Sequence, residues 1–170
     1  LTGGEVMLQW QPVLRLLELL KAAGIHTCIE TNGTSVHLPE LFPVLDLLIM
    51  DLKHHDSARH KEVTGIGLEH TVANLSAALD AGQTLALRIP LIGGFNATVK
   101  DAEQFAALLT GLGAQGRCTV ELLLYHEYGR SKYEKLHLPY TMGQEAHVSN
   151  ETRLQVEDIL RQGGLTVIRS

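Results

Sequence analysis

The chain is expected to fold as an α/β domain built on a parallel sheet, and three observations carry that expectation. Helix-like and strand-like segments alternate along its 170 residues. One strand, Leu45 to Lys53, is almost wholly apolar, as strands covered on both faces are. Four strands end in polar residues, the mark of a ligand-binding face in parallel folds. Such alternation calls for right-handed crossovers, leaving a barrel-like or an open sheet, with five strands too few to close a barrel.

Pro12 suits the start of a helix, in which Val13, Leu16, Leu17 and Leu20 recur at helical spacing before Gly24 stops it. Ile25 to Thr31 reads as a strand, Asn32-Gly33 as a turn, and a short helix near Pro39 leads to the strand Leu45 to Lys53. After a polar loop at His54 to Ser57, helices are predicted over Ala58 to Val63 and Leu68 to Ala81, the second with Val72, Leu75 and Leu79 on one face. Thr84 to Leu91 is the third strand, Ile92 to Thr98 a glycine-bearing loop, and Asp101 to Leu112 a helix with Phe105, Leu108, Leu109 and Leu112 inward. Thr119 to Tyr125 is the fourth strand. His126 to Asn150 shows no regular element, and Glu151 to Arg161 and Leu165 to Ile168 supply a last helix and strand.

One domain with a real core fits this length. The net charge of -5, without a basic run or aromatic stripe, argues against nucleic acid and anionic membranes as partners. No apolar run nears the roughly 18 residues of a membrane span, and no signal peptide precedes the first helix. The two cysteines, Cys28 and Cys118, both placed in strands, make neither a disulfide framework nor a close-spaced metal motif and suit the cytoplasm. His26, His37, His54, His55, His60, His70, His137 and His147 lack metal-ligand spacing and are expected on the surface or in loops. Thr2-Gly3-Gly4-Glu5 looks like a strand-to-helix loop whose strand precedes Leu1, so residues 1–170 are expected to form a single incomplete domain with an open sheet edge.

The strand ends Glu30-Thr31-Asn32-Gly33, Asp51-Leu52-Lys53, Arg88-Ile89-Pro90 and Tyr125-His126 are joined by the Gly-Gly-Glu loop. Side chains two apart on a strand share a face, pairing Asp51 with Lys53, and Leu122 and Leu124 with His126. Singly, Asp51–Lys53 reads as an internal ion pair, His126 as a core histidine and Arg88 as a strut. Together, Glu30, Asp51, Lys53, Arg88 and His126 offer partners for the ammonium and carboxylate of an amino-acid-like ligand, with Gly3 and Gly4 allowing close backbone approach and Glu5 accepting from the ammonium. Glu30, Thr31 and Asp51 also offer oxygens to a hard cation, while a local turn role for Glu30-Thr31-Asn32 is an equal alternative.

Gly3-Gly4-Glu5, Glu30-Thr31-Asn32-Gly33, Asp51-Leu52-Lys53-His54, His60-Lys61-Glu62-Val63-Thr64-Gly65, Arg88 to Asn96 and Leu124-Tyr125-His126, taken in order, resemble the radical S-adenosylmethionine activating enzymes of glycyl-radical enzymes, the pyruvate formate-lyase type being nearest. The resemblance implies a partial (β/α)6 TIM-like barrel and an oxidoreductase that cleaves S-adenosylmethionine to a 5'-deoxyadenosyl radical, which takes hydrogen from a glycine of its partner. It implies that Gly3, Gly4 and Glu5 meet the methionyl amino group, Lys53 and Arg88 its carboxylate side, and His126 the ligand near the reacting centre. It also implies a monovalent cation at Glu30, Thr31, Asp51 and the Ile49 carbonyl, with Glu30 standing where the family has aspartate and Val6 where proline is frequent. The implied partners are a glycyl-radical enzyme such as pyruvate formate-lyase and an electron donor such as flavodoxin or ferredoxin. Tyr128 to Tyr133 resembles the segment where the substrate protein docks.

The family's [4Fe-4S] cluster sits on a CxxxCxxC loop, which Cys28 and Cys118 do not supply, so these residues alone are expected to be inactive. A non-catalytic binding module derived from the same fold is the alternative. An unrelated enzyme with a phosphate site at Gly93-Gly94 is a third reading, weakened by the absence of a following Gly-Lys-Ser/Thr.

Overall fold

The computed structural model describes residues 1–169. A 3-10 turn over Val6–Gln9 runs into α1 (Trp10–Ala22), which leads to β1 (Cys28–Thr31). A second 3-10 segment, Leu38–Val44, connects β1 to β2 (Leu47–Asp51). Helices α2 (Ser57–Thr64) and α3 (Glu69–Asp80) precede β3 (Leu85–Leu91), and α4 (Val99–Gly111) precedes β4 (Thr119–Leu124). A short α5 (Arg130–Lys135), a 3-10 turn over Gln144–Ala146 and α6 (Asn150–Gln162) lead to β5 (Thr166–Ile168). Among the described residues no helix is long and apolar enough to cross a membrane.

All strand pairs are parallel and their order in the sheet is the order in the chain. A sheet that grows in one direction through right-handed crossovers receives every connecting helix on the same side. This is the arrangement of a partial barrel, since an open doubly wound sheet needs a reversal of strand order. Burial confirms the one-sided cover: it alternates residue by residue along β1, β2 and β3. Ile29, Leu48, Met50, Leu87 and Ile89 face the helices and are fully buried. Cys28, Glu30, Ile49, Asp51, Ala86 and Arg88 share the other, half-open face. The apolar strand expected to be covered on both sides therefore has only one helix-covered face.

The helix side packs Leu17, Leu75, Leu79, Phe105, Leu109 and Leu160 onto the sheet. Each of these side chains contributes about 1.5–3 kcal/mol by leaving water. In α1, Trp10, Val13, Leu14 and Leu17 form the inward stripe and Leu16 is 42% exposed, because a leucine-rich helix carries two overlapping stripes of the same period. The strands are shorter than their apolar runs. The Thr27 carbonyl accepts from both Asp46 and Leu47 amides, and its hydroxyl donates to the Val44 carbonyl, so ladder pairing starts at Cys28 and Leu47. Cys118 lies just before β4 instead of within it, and burial pushes its thiol up to about 11. Helix α5 lies in the stretch expected to be irregular; it buries no side chain, so it left no apolar period to read.

Candidate functional site

The Thr2–Glu5 loop is fastened to the end of β1 by one carboxylate. Glu5 accepts from the Thr31 hydroxyl at 2.6 Å and the Asn32 amide at 2.9 Å, and caps the following 3-10 turn through the Met7 amide at 3.1 Å. Gly3 and Gly4 take left-handed φ values of 95° and 59°, and nothing lies within 4 Å of where a Cβ would project. The loop thus presents bare backbone to an open space that any larger residue would enter. Thr31 is buried, and its hydroxyl also accepts from the Gly33 amide, so it belongs to the turn that supports this loop.

The half-open face of the sheet carries the charged groups. Asp51 closes β2, and Lys53, two residues on, donates to it at 2.6 Å. Arg88 sits within β3, in register with Asp51 on one side and Glu121 of β4 on the other. Its guanidinium donates to Glu30 at 2.7 Å and to Glu121 at 2.9 Å. Burial works against the Arg88 charge, but the hydrogen bonds it donates to Glu121 and Glu30 outweigh this and hold the guanidinium pKa above its ordinary value. Glu30 also accepts the Thr2 hydroxyl at 3.0 Å. Asn96, buried in the loop after β3, donates to the Lys53 and Pro90 carbonyls and accepts from the Ile92 amide, fixing the two loops that flank Lys53.

Thr2, Gly3, Gly4, Glu5, Glu30, Thr31, Asn32, Asp51 and Lys53 line one open cavity of about 290 Å3. Seven of these are residues singled out from the sequence; Thr2 and Asn32 join them. Ile49 pairs with Glu30 on the adjacent strand, within the same face. Arg88 stands behind Glu30 and does not line the cavity. His126 is not brought to it either. It is exposed, accepts weakly from the Tyr128 amide, packs against the Tyr128 ring and borders a separate cavity between β4 and α6. Sequence reasoning missed Glu121 because it sits mid-strand; its register with Arg88 is visible only in the fold.

A second polar cluster joins the loops after β2 and β3. His54, His55 and Asp101 bring potential ligand atoms within 4.8 Å of one another beside a cavity of about 610 Å3. The hydrogen bonds argue against a metal centre. His54 Nδ1 accepts from the Asp56 amide, so Nε2 carries the proton and donates to the Phe95 carbonyl, leaving no free lone pair. Burial lowers the His54 pKa, which favours this neutral form. Asp101 spends one oxygen on His55 and the other on the capping box of α4. His54 is buried within the loop after β2, and His60 departs from the surface and loop positions expected of most of these histidines: it is buried in α2 and satisfied by the Ile66 carbonyl. A Cβ at Gly93 would collide with the Glu145 backbone, and the Gly93 amide donates to the Ala146 carbonyl. That loop is glycine because protein packs against it, and it leaves no room there for a phosphate.

Residues 1–109 match the Radical SAM superfamily. The chain belongs to this superfamily. Its relatives are activating enzymes of glycyl-radical enzymes. A choline trimethylamine-lyase activating enzyme of Oleidesulfovibrio alaskensis is 32% identical over 165 residues, covering 95% of this chain and 53% of that protein. A pyruvate formate-lyase-activating enzyme of Clostridium pasteurianum is 31% identical over 162 residues, covering 95% and 67%. A solved domain of a pyruvate-formate lyase-activating enzyme from Bacteroides vulgatus superposes with a TM-score of 0.80 at 25% identity, over 99% of this chain and 96% of that one. The chain spans about half the length of most of the curated relatives it matches. The superfamily implies S-adenosylmethionine and a [4Fe-4S] cluster. The cradle at Gly3-Gly4 and the mixed charges around it fit an amino-acid moiety. The cluster is not fitted by these residues: the two cysteines lie on β1 and before β4, one half-buried and one buried, three strands apart in the sheet.

Proposed function

We propose that residues 1–170 form an incomplete radical SAM barrel domain, one part of an activating enzyme. The complete protein would cleave S-adenosylmethionine reductively and remove hydrogen from a glycine of a glycyl-radical partner. The carrying observation is the cavity where Gly3, Gly4, Glu30, Asp51 and Lys53 converge. Among possible partners, pyruvate formate-lyase is the one we favour, with flavodoxin or ferredoxin as electron donor in the cytoplasm; the pyruvate formate-lyase relative and structural neighbour support that choice.

The cluster, when bound by cysteines of a longer chain, supplies the electron. No step through it is assigned to the residues described here, and on their own they are inactive in this reading. Their part is to bind and orient. The bare backbone of Gly3 and Gly4 receives the methionyl ammonium, and Glu30 and Asp51 add negative charge beside it. Lys53, half-exposed at the cavity wall, offers its remaining N–H groups to the ligand carboxylate. Glu5 is already committed to the protein and shapes the loop, so it acts on the ligand through Gly3 and Gly4. A monovalent cation at Glu30, Thr31, Asp51 and the Ile49 carbonyl would compete with Arg88, Lys53 and Glu5 for the same side chains.

Calorimetric titration of S-adenosylmethionine against wild type and Lys53→Ala tests the reading. Loss of one charged hydrogen bond should weaken binding by about 1–3 kcal/mol. Equal affinity in both would return Lys53 to a plain ion-pair role.

A further inference from the structure

Four side chains connect the far side of the sheet to the glycine loop. Glu121 of β4 accepts from Arg88 Nε at 2.9 Å, Arg88 Nη1 donates to Glu30 at 2.7 Å, and Glu30 accepts the Thr2 hydroxyl at 3.0 Å. The order follows the half-open face from β4 through β3, across β2, to β1 and the loop beside it. Each junction is directional. Arg88 uses two different nitrogens of a planar fork, so binding one carboxylate fixes where the other can sit. Glu30 uses both oxygens, so its position toward Arg88 sets where Thr2 is held. Thr2 adjoins Gly3 and Gly4, the residues with the least intrinsic preference for one backbone conformation. Glu121 is 5% exposed and Arg88 is one-quarter exposed, while the Thr2 end is open, so the chain runs from a rigid anchor to a mobile-prone loop.

We propose that Glu121 and Arg88 are positioning residues that act through Glu30 and Thr2 to hold the Gly3-Gly4 loop in its ligand-ready form. Arg88 then serves the site without touching the ligand, in agreement with its place behind Glu30 and outside the cavity wall. The inference rests on the reading that this loop meets the ligand. It adds two residues, Thr2 and Glu121, to those on which binding depends.

The test is a double-mutant cycle read by amide hydrogen exchange at Met7, Glu30 and Asn32, whose hydrogen bonds to Glu5 and Leu1 fasten the loop, in the 170-residue chain. Glu121→Gln keeps the shape and removes the charge; Thr2→Val breaks the other end. Each single variant should speed exchange at these three amides about tenfold, with Leu87 and Ile89 unchanged, and the double variant should also show about tenfold because the path is already cut. Independent structural roles would multiply to about a hundredfold, and that result, or wild-type exchange in Glu121→Gln, overturns the proposal. If Glu121→Gln fails to fold, Thr2→Val alone decides it: faster exchange of the Arg88 Nε–H supports the relay and an unchanged rate refutes it. No ligand enters this measurement. A wild-type chain that fails to bind S-adenosylmethionine would sink the functional reading while leaving the coupling between Thr2 and Glu121 to be scored separately.

Discussion

At the scale of single residues, the charges on the half-open face are spent mostly on one another. Arg88 neutralises Glu30 and Glu121 together, and its removal leaves two carboxylates on one face with no shared cation. Arg88→Met should cost about 1–3 kcal/mol in urea unfolding, since it removes the charged hydrogen bonds that Glu30 and Glu121 accept from the guanidinium. Arg88→Lys should recover only part of this, because an ammonium has no planar fork to span both acids. Equal stability of wild type and Arg88→Met would show that Glu30 and Glu121 find other partners. The same residues show what the sequence made legible. Asp51 ends β2 and Lys53 stands two residues beyond it, and their pairing follows from the two-residue alternation of an extended chain. The link from Arg88 to Glu121 spans 33 positions and depends on register between β3 and β4, which no local pattern encodes. His126 illustrates the reverse: it stands at a strand end, but the polypeptide turns there and the ring faces Tyr128.

Elements were readable where they bury an apolar stripe. Helices α3 and α4 place Leu75, Leu79, Phe105 and Leu109 at the spacings seen in the sequence. Helix α5 has no such stripe, and the 3-10 turn at Gln144–Ala146 is held by its contact with Gly93, a long-range cause. Caps follow the same logic of local chemistry. Thr98 and Asp101 form a reciprocal capping box at the start of α4, and Asp101 also holds His55. Thr98→Ala should therefore cost about 1 kcal/mol, near the middle of the range for N-cap removal. A loss within error of zero in thermal or urea unfolding would mean that Asp101 alone is sufficient to start the helix.

At the scale of the whole fold, β5 needs to be tied down, because among the described residues it has a neighbour on one side only. Glu157 of α6 does this, buried and accepting from Arg153, Arg161 and Arg169, the last of which follows β5. The Arg169 hydrogen bonds, aided by those from Arg161, hold its carboxyl pKa below the ordinary glutamate value. Burial opposes them and is outweighed. A depressed folded-state pKa gives stability that is complete above the unfolded value of about 4.3 and is lost as pH falls below it. The urea midpoint should fall with acidification below that point, and Glu157→Gln should flatten the fall; an identical pH profile in the variant would remove Glu157 from the account.

The central claim is that the Gly3-Gly4 cradle and the carboxylates and lysine around it receive the amino-acid end of S-adenosylmethionine. The most direct test is a 15N NMR titration of the chain with S-adenosylmethionine. The account predicts saturable shifts centred on Gly3, Gly4, Thr31, Asn32 and Lys53, with the His54–Asp101 cluster unmoved. Absence of saturable shifts at the glycine loop, or shifts centred on the His55 and Asp101 cavity instead, would contradict it.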